Sequence, residues 1–256
     1  MPALFFTLFS AVLGAVMGSF FNVVAERGAQ GRSWWGRERS RCASCGRALE
    51  PPELIPVVSF LLQGGRCRSC GEAIPRLCLC AEAACALGAG LLAWRWGVGW
   101  AGLLSLALFL SLALNSLTDL HSGYIYDLAA LLPVLPFVLL RSPGGLSSLF
   151  DGALGGLLGF FVIAAIIVVS RGGMGWGDAF LMAGCGVGLG WRLTALALYL
   201  GFMVGGFSAL GLLAMKKVGR KTALPLGPFL AVGALLALLW GPSILGYWGW
   251  SAGWPW

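Results

Sequence analysis

Long apolar runs separated by short polar breaks cover most of the 256-residue chain. A helix needs about 20 apolar residues to cross the hydrocarbon core of a bilayer. By that measure eight spans are predicted, over about 3–24, 77–96, 98–117, 128–141, 150–170, 179–191, 193–215 and 224–247. Two are poorly bounded. The fourth carries Pro133 and Pro136 and the sixth is short and glycine-rich, so kinking or tilting is expected there, with neighbouring helices satisfying the freed backbone groups. One polar stretch breaks the pattern. From Glu26 to Arg76 it holds nine of the 17 Lys and Arg and five of the 10 acids, and it reads as a small domain inserted after the first span. The predicted fold is an all-α polytopic membrane protein of about eight transmembrane helices. It divides into a first helix over 1–25, a cytoplasmic insertion over 26–76 and a seven-helix membrane domain over 77–256. The first span has no basic n-region and runs into Arg-rich sequence, so it reads as a retained helix, not a cleaved signal.

Composition agrees: 59% of residues are apolar, 11% are charged, and there are 40 Gly and 12 Trp, which excludes an ordinary soluble domain. Short loops rich in Lys and Arg stay in the cytoplasm. With the insertion inside, its nine basic residues join Arg171, Lys216, Lys217, Arg220 and Lys221 on the inner side, against Arg95, Arg141 and Arg192 outside. This orientation predicts an inner-membrane protein with both termini outside and with Asp119 and Asp178 at the cytoplasmic boundary. The net charge of +7 follows from that asymmetry and from the anionic inner leaflet. The expected surroundings are therefore lipid, and no nucleic-acid partner is called for.

Within the insertion, Cys42-Ala-Ser-Cys45-Gly46 and Cys67-Arg-Ser-Cys70-Gly71 repeat a C-x-x-C-G turn. Such a turn presents two thiolates, its glycine lets backbone amides curl toward the sulfurs, and two turns complete a tetrahedral S4 site. A pair of disulfides is the competing reading, which a reducing cytoplasm disfavours. Four thiolates leave no open position, so the expected metal is structural zinc held by Cys42, Cys45, Cys67 and Cys70. A domain of this size with few apolar side chains needs such a staple. Cys78, Cys80, Cys85 and Cys185 sit in or beside apolar spans and read as small hydrophobes.

Outside the insertion and the start of the second span, the remaining acids are Asp119, Asp127, Asp151 and Asp178. Ionisable residues beside a bilayer are costly and are functional suspects. Asp127 and Asp151 read as acids near helix amino ends. Asp178 ends Gly173-Met-Gly175-Trp-Gly177-Asp178, whose glycines leave backbone open at a helix mouth, and Asp119 closes the third span. If those helices pack, the two carboxylates meet and share a proton, one activating water and the other donating to a carbonyl oxygen or leaving amine. Capping, cation binding and a proton path in a transporter stand beside catalysis as readings of the same acids, as does a membrane scaffold recruiting a partner through the cysteine turns. No internal repeat of the transporter kind is present, and a scaffold has no need of two aspartates at one boundary. His121, the single histidine, reads as a polar residue at a helix end.

Over most of its length, and in order, the chain resembles the bacterial type IV prepilin leader peptidases. The likeness is carried by Gly18-Ser-Phe-Phe-Asn22-Val-Val24, Ser40-Arg-Cys42-Ala-Ser-Cys45-Gly46, Ile55-Pro56, Ser59-Phe60, Gly65-Arg-Cys67-Arg-Ser-Cys70-Gly71, Glu82, Asp119 through Asp127, Gly173 through Asp178, and Pro225-Leu-Gly227-Pro228-Phe-Leu230. The resemblance implies an intramembrane aspartyl protease of the GxGD type with Asp119 and Asp178 as its catalytic pair. It implies prepilin or type II secretion pseudopilin substrates cut after the Gly of a short basic leader. It also implies methylation of the new amino terminus with S-adenosylmethionine, associated with the cysteine-bearing domain. Three departures stand out. Tyr126 replaces a family Pro, Phe180 replaces a Lys two residues beyond the second aspartate, and Leu77-Cys78-Leu79 replaces an Arg-Tyr-Pro run.

Overall fold

The structure is a computed structural model that describes residues 2–33, 39–171, 173–217, 219 and 224–254. Arg37, Arg220 and Lys221, counted above among the inner basic residues, lie outside the described residues. Helix α1 spans Pro2–Ala29 and leads into the insertion, which contains a 3-10 turn at Pro51–Leu54 and a short α2 at Val58–Leu62. Then follow α3 Arg76–Trp96, α4 Trp100–Ser122, α5 Asp127–Leu131, α6 Val134–Arg141, α7 Gly145–Val169, α8 Trp176–Leu189, α9 Trp191–Ala214 and α10 Gly227–Tyr247. The only strand-like pairings among the described residues are the isolated bridges Arg41 to Ala48 and Arg66 to Ala73.

Six helical stretches are long and apolar enough to cross a bilayer, one of them the 43 residues Asp127–Val169 that contain α5, α6 and α7. The protein is a multi-pass membrane protein. The predicted fourth span is broken where Pro133 ends α5 and begins α6. Proline has no N–H to donate back to the Ala129 carbonyl, and Asn115 Nδ2 from α4 reaches that carbonyl at 3.4 Å. The predicted sixth span is α8, whose 14 residues extend for about 21 Å, short of the about 30 Å of a hydrocarbon core.

Neighbouring helices pack antiparallel through small residues, as the glycine contacts record. Gly18 of α1 lies against Ala81 and Cys85 of α3, whereas Gly90 of α3 lies against Ala11. Gly152 and Gly156 of α7 meet Val187 and Gly159 meets Met182 of α8, so closely that a Cβ on Gly155 or Gly186 would collide with the other helix's backbone. Lipid gives helices no hydrophobic drive to associate, so such close backbone approach is what holds them. The glycines of α9 behave otherwise. Gly201 and Gly205 meet Leu230 and Phe229 of α10, but nothing lies within 4 Å of a Cβ on Gly206 or Gly211.

Helix α4 is the central element, in contact with α1, α3, α8 and α10, and its Leu104, Leu108 and Leu112 are fully buried. The rim is apolar, with Phe5, Leu8 and Val12 of α1, Val168 and Val169 of α7, and Phe207 and Leu210 of α9 exposed, as a lipid-facing surface requires. This alternation of direction brings the end of α1, the insertion, the start of α3, the end of α4 and the starts of α8 and α10 to one end of the bundle. The other end collects Trp94, Trp96, Trp100, Trp191, Trp248 and Trp250, the aromatic belt of a membrane interface.

Candidate active site and cysteine cluster

At the insertion end, Asp119 lies in the last turn of α4, which runs past the predicted end of its span to Ser122. Its Oδ2 accepts the N–H of Gly227, the first residue of α10, at 2.8 Å. Gly227 is bare for a reason. A Cβ there would stand 2.9 Å from that oxygen. Asp178 is the third residue of α8, whose N-cap is the extended Gly175. Gly177 lets the loop before α5 cross the start of α8, since a Cβ on it would meet Ile125 Cβ and O at 2.8 Å. Both aspartates are buried, Asp119 at 7% and Asp178 at 8% exposure. They lie within electrostatic reach of each other, and among the described residues neither has an ion pair. Asp178 Oδ1 is buried without a hydrogen-bond partner, as are Ser111 Oγ, Asn115 Oδ1 and Ser116 Oγ on α4. Two carboxyls within electrostatic reach of each other in low dielectric do not both ionise cheaply. That arrangement can activate water and protonate a carbonyl oxygen.

The residues around the pair have other partners. His121 Nε2 pairs with Asn22 Oδ1 of α1 at 3.0 Å, and Asn22 Nδ2 donates to Cys78 Sγ at 3.4 Å, so His121 ties α4 to α1 as a polar helix-end residue. Asp127 is exposed in the first turn of α5, the position of a dipole-facing acid. Phe180 turns away from the aspartates and packs 5.8 Å from the ring of Phe160 on α7. The ring of Tyr126 covers Gly28 near the end of α1, its Oη 3.1 Å from where a Cβ would sit.

The two cysteine turns have the same build. Gly46 N–H bonds Cys42 O and Gly71 N–H bonds Cys67 O, both at 2.9 Å, with the glycines at φ of +70° and +72°, a conformation that glycine adopts without steric cost. The four Sγ atoms lie within 4.8 Å of one another, and Cys42 and Cys70 are 3.8 Å apart. Sulfurs about 2.3 Å from a tetrahedral zinc stand about 3.8 Å apart, so the cluster fits that ion. The amides of Cys70 and Ser69 hold the Cys67 thiol down, to about 6, toward the thiolate a metal takes. Cys78 and Cys80 are not part of the cluster.

Around the cluster, Arg47 bonds Glu53 at 2.6 Å, and Glu53 Oε2 accepts the Glu50 N–H at 2.9 Å. The insertion is pinned to the membrane helices by Glu82 of α3, which accepts the N–H of Val57 at 2.6 Å. Val57 has φ +62°, an outlier for a β-branched residue, so this contact holds a strained backbone.

Asp151 is not the helix-end acid that its glycine-rich approach implied. It lies in the second turn of α7 and pairs with Arg141 at 2.6 Å, while Arg141 is 1% exposed and also donates to Ser148 O at 3.0 Å and Gly188 O at 2.8 Å. The pair locks α6, α7 and the end of α8 at the tryptophan-rich end. An Arg and an Asp ten residues apart, flanking one short loop between apolar runs, was the available sequence signal.

The sequence matches two family descriptions, the bacterial peptidase A24 N-terminal domain over residues 12–96 and the type IV leader peptidase family over residues 106–210. It is 33% identical to a prepilin leader peptidase/N-methyltransferase of Pseudomonas aeruginosa, covering 93% of this chain and 92% of that one. A protein of the same description from Bacillus subtilis is 34% identical over 92% of this chain and 95% of its own length. The chain belongs to the type IV leader peptidase family. Another relative so described, from Aeromonas hydrophila, is 30% identical over 95% of this chain and 93% of its own. No solved structure matches. The first family segment runs through α1, the insertion and α3, and the second contains both aspartates.

Proposed function

We propose that this protein is a prepilin leader peptidase of the aspartic type, with Asp119 and Asp178 as its catalytic pair, and that it methylates the amino terminus it exposes. The observation that carries the reading is the convergence of two buried carboxyls, without an ion pair among the described residues, at the end of the bundle that bears the cysteine insertion. The family resemblance implies a catalytic use for such a pair. One carboxylate takes a proton from water as the water attacks the scissile carbonyl, and the other carboxyl protonates the carbonyl oxygen.

The substrate is a type IV prepilin or type II secretion pseudopilin. Its short basic leader lies beside the insertion and its hydrophobic helix lies in the bilayer. The insertion end faces the cytoplasm of the inner membrane, a placement that the charge asymmetry of the loops supports. Cys42, Cys45, Cys67 and Cys70 hold structural zinc, which fastens residues 26–76 as a domain between the first helix and the membrane protease over 77–256. S-adenosylmethionine supplies the methyl group. Phe180, in place of a lysine, brings no cation to the pair, and Tyr126, in place of a proline, ties its loop to α1.

The test is cleavage of a recombinant Pseudomonas aeruginosa prepilin by the purified protein in lipid, with the product amino terminus read by mass spectrometry with and without S-adenosylmethionine. Leader removal and one added methyl mass are expected. An intact prepilin in the presence of folded protein contradicts the peptidase, and cleavage without added mass contradicts the methyl transfer alone.

A further inference from the structure

Part of the insertion is built inside out. In the 3-10 turn Pro51–Leu54 the acid Glu53 is buried, while Leu54 and the following Ile55 stand exposed. In α2 the exposed side chains are Val58, Leu61 and Leu62, the last at 78%. Spacings of three and four residues put these three on one helix face. The ring that turns inward is Phe60, which closes over Gly65. Water selects the reverse of this arrangement, and five large apolar side chains exposed together in so small a domain mark a contact surface.

Depth decides what covers that surface. Val57, between the two halves of the patch, gives its N–H to Glu82 of α3. The 21 residues of α3 extend for about 31 Å, about the thickness of a hydrocarbon core, so its first turn marks one boundary of the bilayer. Glu82 is the seventh residue of that helix, about 9 Å along the axis from its start. Its side chain leans toward the helix start and reaches at most about 5 Å. Val57 therefore lies no further out than the first turn of α3, at the level where the bilayer begins. Beside it α1 packs on α3 through Gly18, against Ala81 and Cys85, and exposes Val16 to lipid. The patch continues that lipid-facing surface. Arg66, just past α2, and Arg76, the first residue of α3, are exposed and add cations where lipid phosphates lie.

We propose that Leu54, Ile55, Val58, Leu61 and Leu62 form an interfacial wedge seated among the phospholipids of the adjoining leaflet, with Glu82 setting its depth. The wedge gives the insertion a third point of attachment besides its two chain connections, and so holds the cysteine cluster close against the membrane. The strained backbone at Val57 is where the chain turns to bring both halves of the patch to one side. An element of this kind lies in the boundary between headgroups and acyl chains without crossing the bilayer. The proposal stands independently of the peptidase reading.

The experiment is photo-crosslinking of the full chain in vesicles of phosphatidylethanolamine and phosphatidylglycerol, with p-benzoylphenylalanine in place of Leu62 and the adducts read by intact-protein mass spectrometry. Adducts of phospholipid mass are expected. The same probe in place of Ser44, exposed on the first cysteine turn, should give none. A probe at Leu62 that captures no lipid, or captures this chain's own residues instead, overturns the wedge, as does an equal lipid yield at both positions. Capture of a co-reconstituted prepilin in place of lipid makes the patch a substrate surface and also overturns it. Glu82→Gln keeps an acceptor for the Val57 N–H and should retain the lipid adduct, whereas Glu82→Leu should lose it. An equal yield from those two variants overturns the role of Glu82 in setting depth.

Discussion

At one end of the bundle Asp151 is matched by Arg141, whose three donor groups each meet an acceptor. At the other end Asp119 and Asp178 lie within electrostatic reach of each other with no ion pair among the described residues, and Asp178 Oδ1 has no partner. The chain therefore neutralises one acid with a buried cation and leaves the other two, both buried, without one among the described residues. The Arg141–Asp151 pair closes a helix corner beneath the tryptophan belt. On the proposed function, the aspartate pair keeps an unmet electrostatic demand that a reaction passing through a charged transition state satisfies.

The comparison can be broken most sharply at Asp119. Asp119→Asn should reduce prepilin cleavage by about a thousandfold or more without lowering thermal stability, because asparagine keeps an acceptor oxygen for the Gly227 N–H and removes an acid from a buried site; a fall in melting temperature that accounts for the lost activity would place Asp119 with the structural acids. Asp151→Ala has the opposite signature. It leaves Arg141 buried without its carboxylate and should cost about 3 kcal/mol of stability, read by denaturation in detergent, with per-molecule cleavage by the folded fraction kept. Smaller is the effect of Cys67→Ser, which should release zinc, measured by metal analysis, and open residues 39–76 to protease while the transmembrane helices stay folded.

The smallest effect concerns Glu53. The Glu50 N–H and the Arg47 guanidinium hold its carboxyl below the ordinary carboxylate range. A group with a lowered folded-state value contributes stability that is present above the unfolded value and is lost as pH falls through the folded one. Acidification should therefore loosen the insertion, and Glu53→Gln should flatten that acid dependence in a proteolysis assay. An unaltered profile would remove Glu53 from the account.

Much of this architecture was legible in the order of residues. The apolar runs mark the helices because each must be about as long as the bilayer is thick, and C-x-x-C-G marks each sulfur turn because its geometry is local. The weak points were non-local. The break at Pro133 was readable, but not that Asn115 would answer the Ala129 carbonyl it frees. Asp151 looked like a helix-end acid because its partner, Arg141, belongs to another helix. Pro225 through Leu230 was visible as a family segment, yet nothing in its letters says that the Gly227 N–H meets Asp119, 108 positions earlier.

The most direct test sets the two ends side by side, measuring melting temperature and prepilin cleavage for Asp178→Asn and Asp151→Asn in the same lipid. The account predicts an Asp178→Asn protein at least as stable as wild type and inactive, and an Asp151→Asn protein that is less stable and cleaves normally while folded. An active Asp178→Asn, or an Asp151→Asn that is stable but inactive, would contradict it.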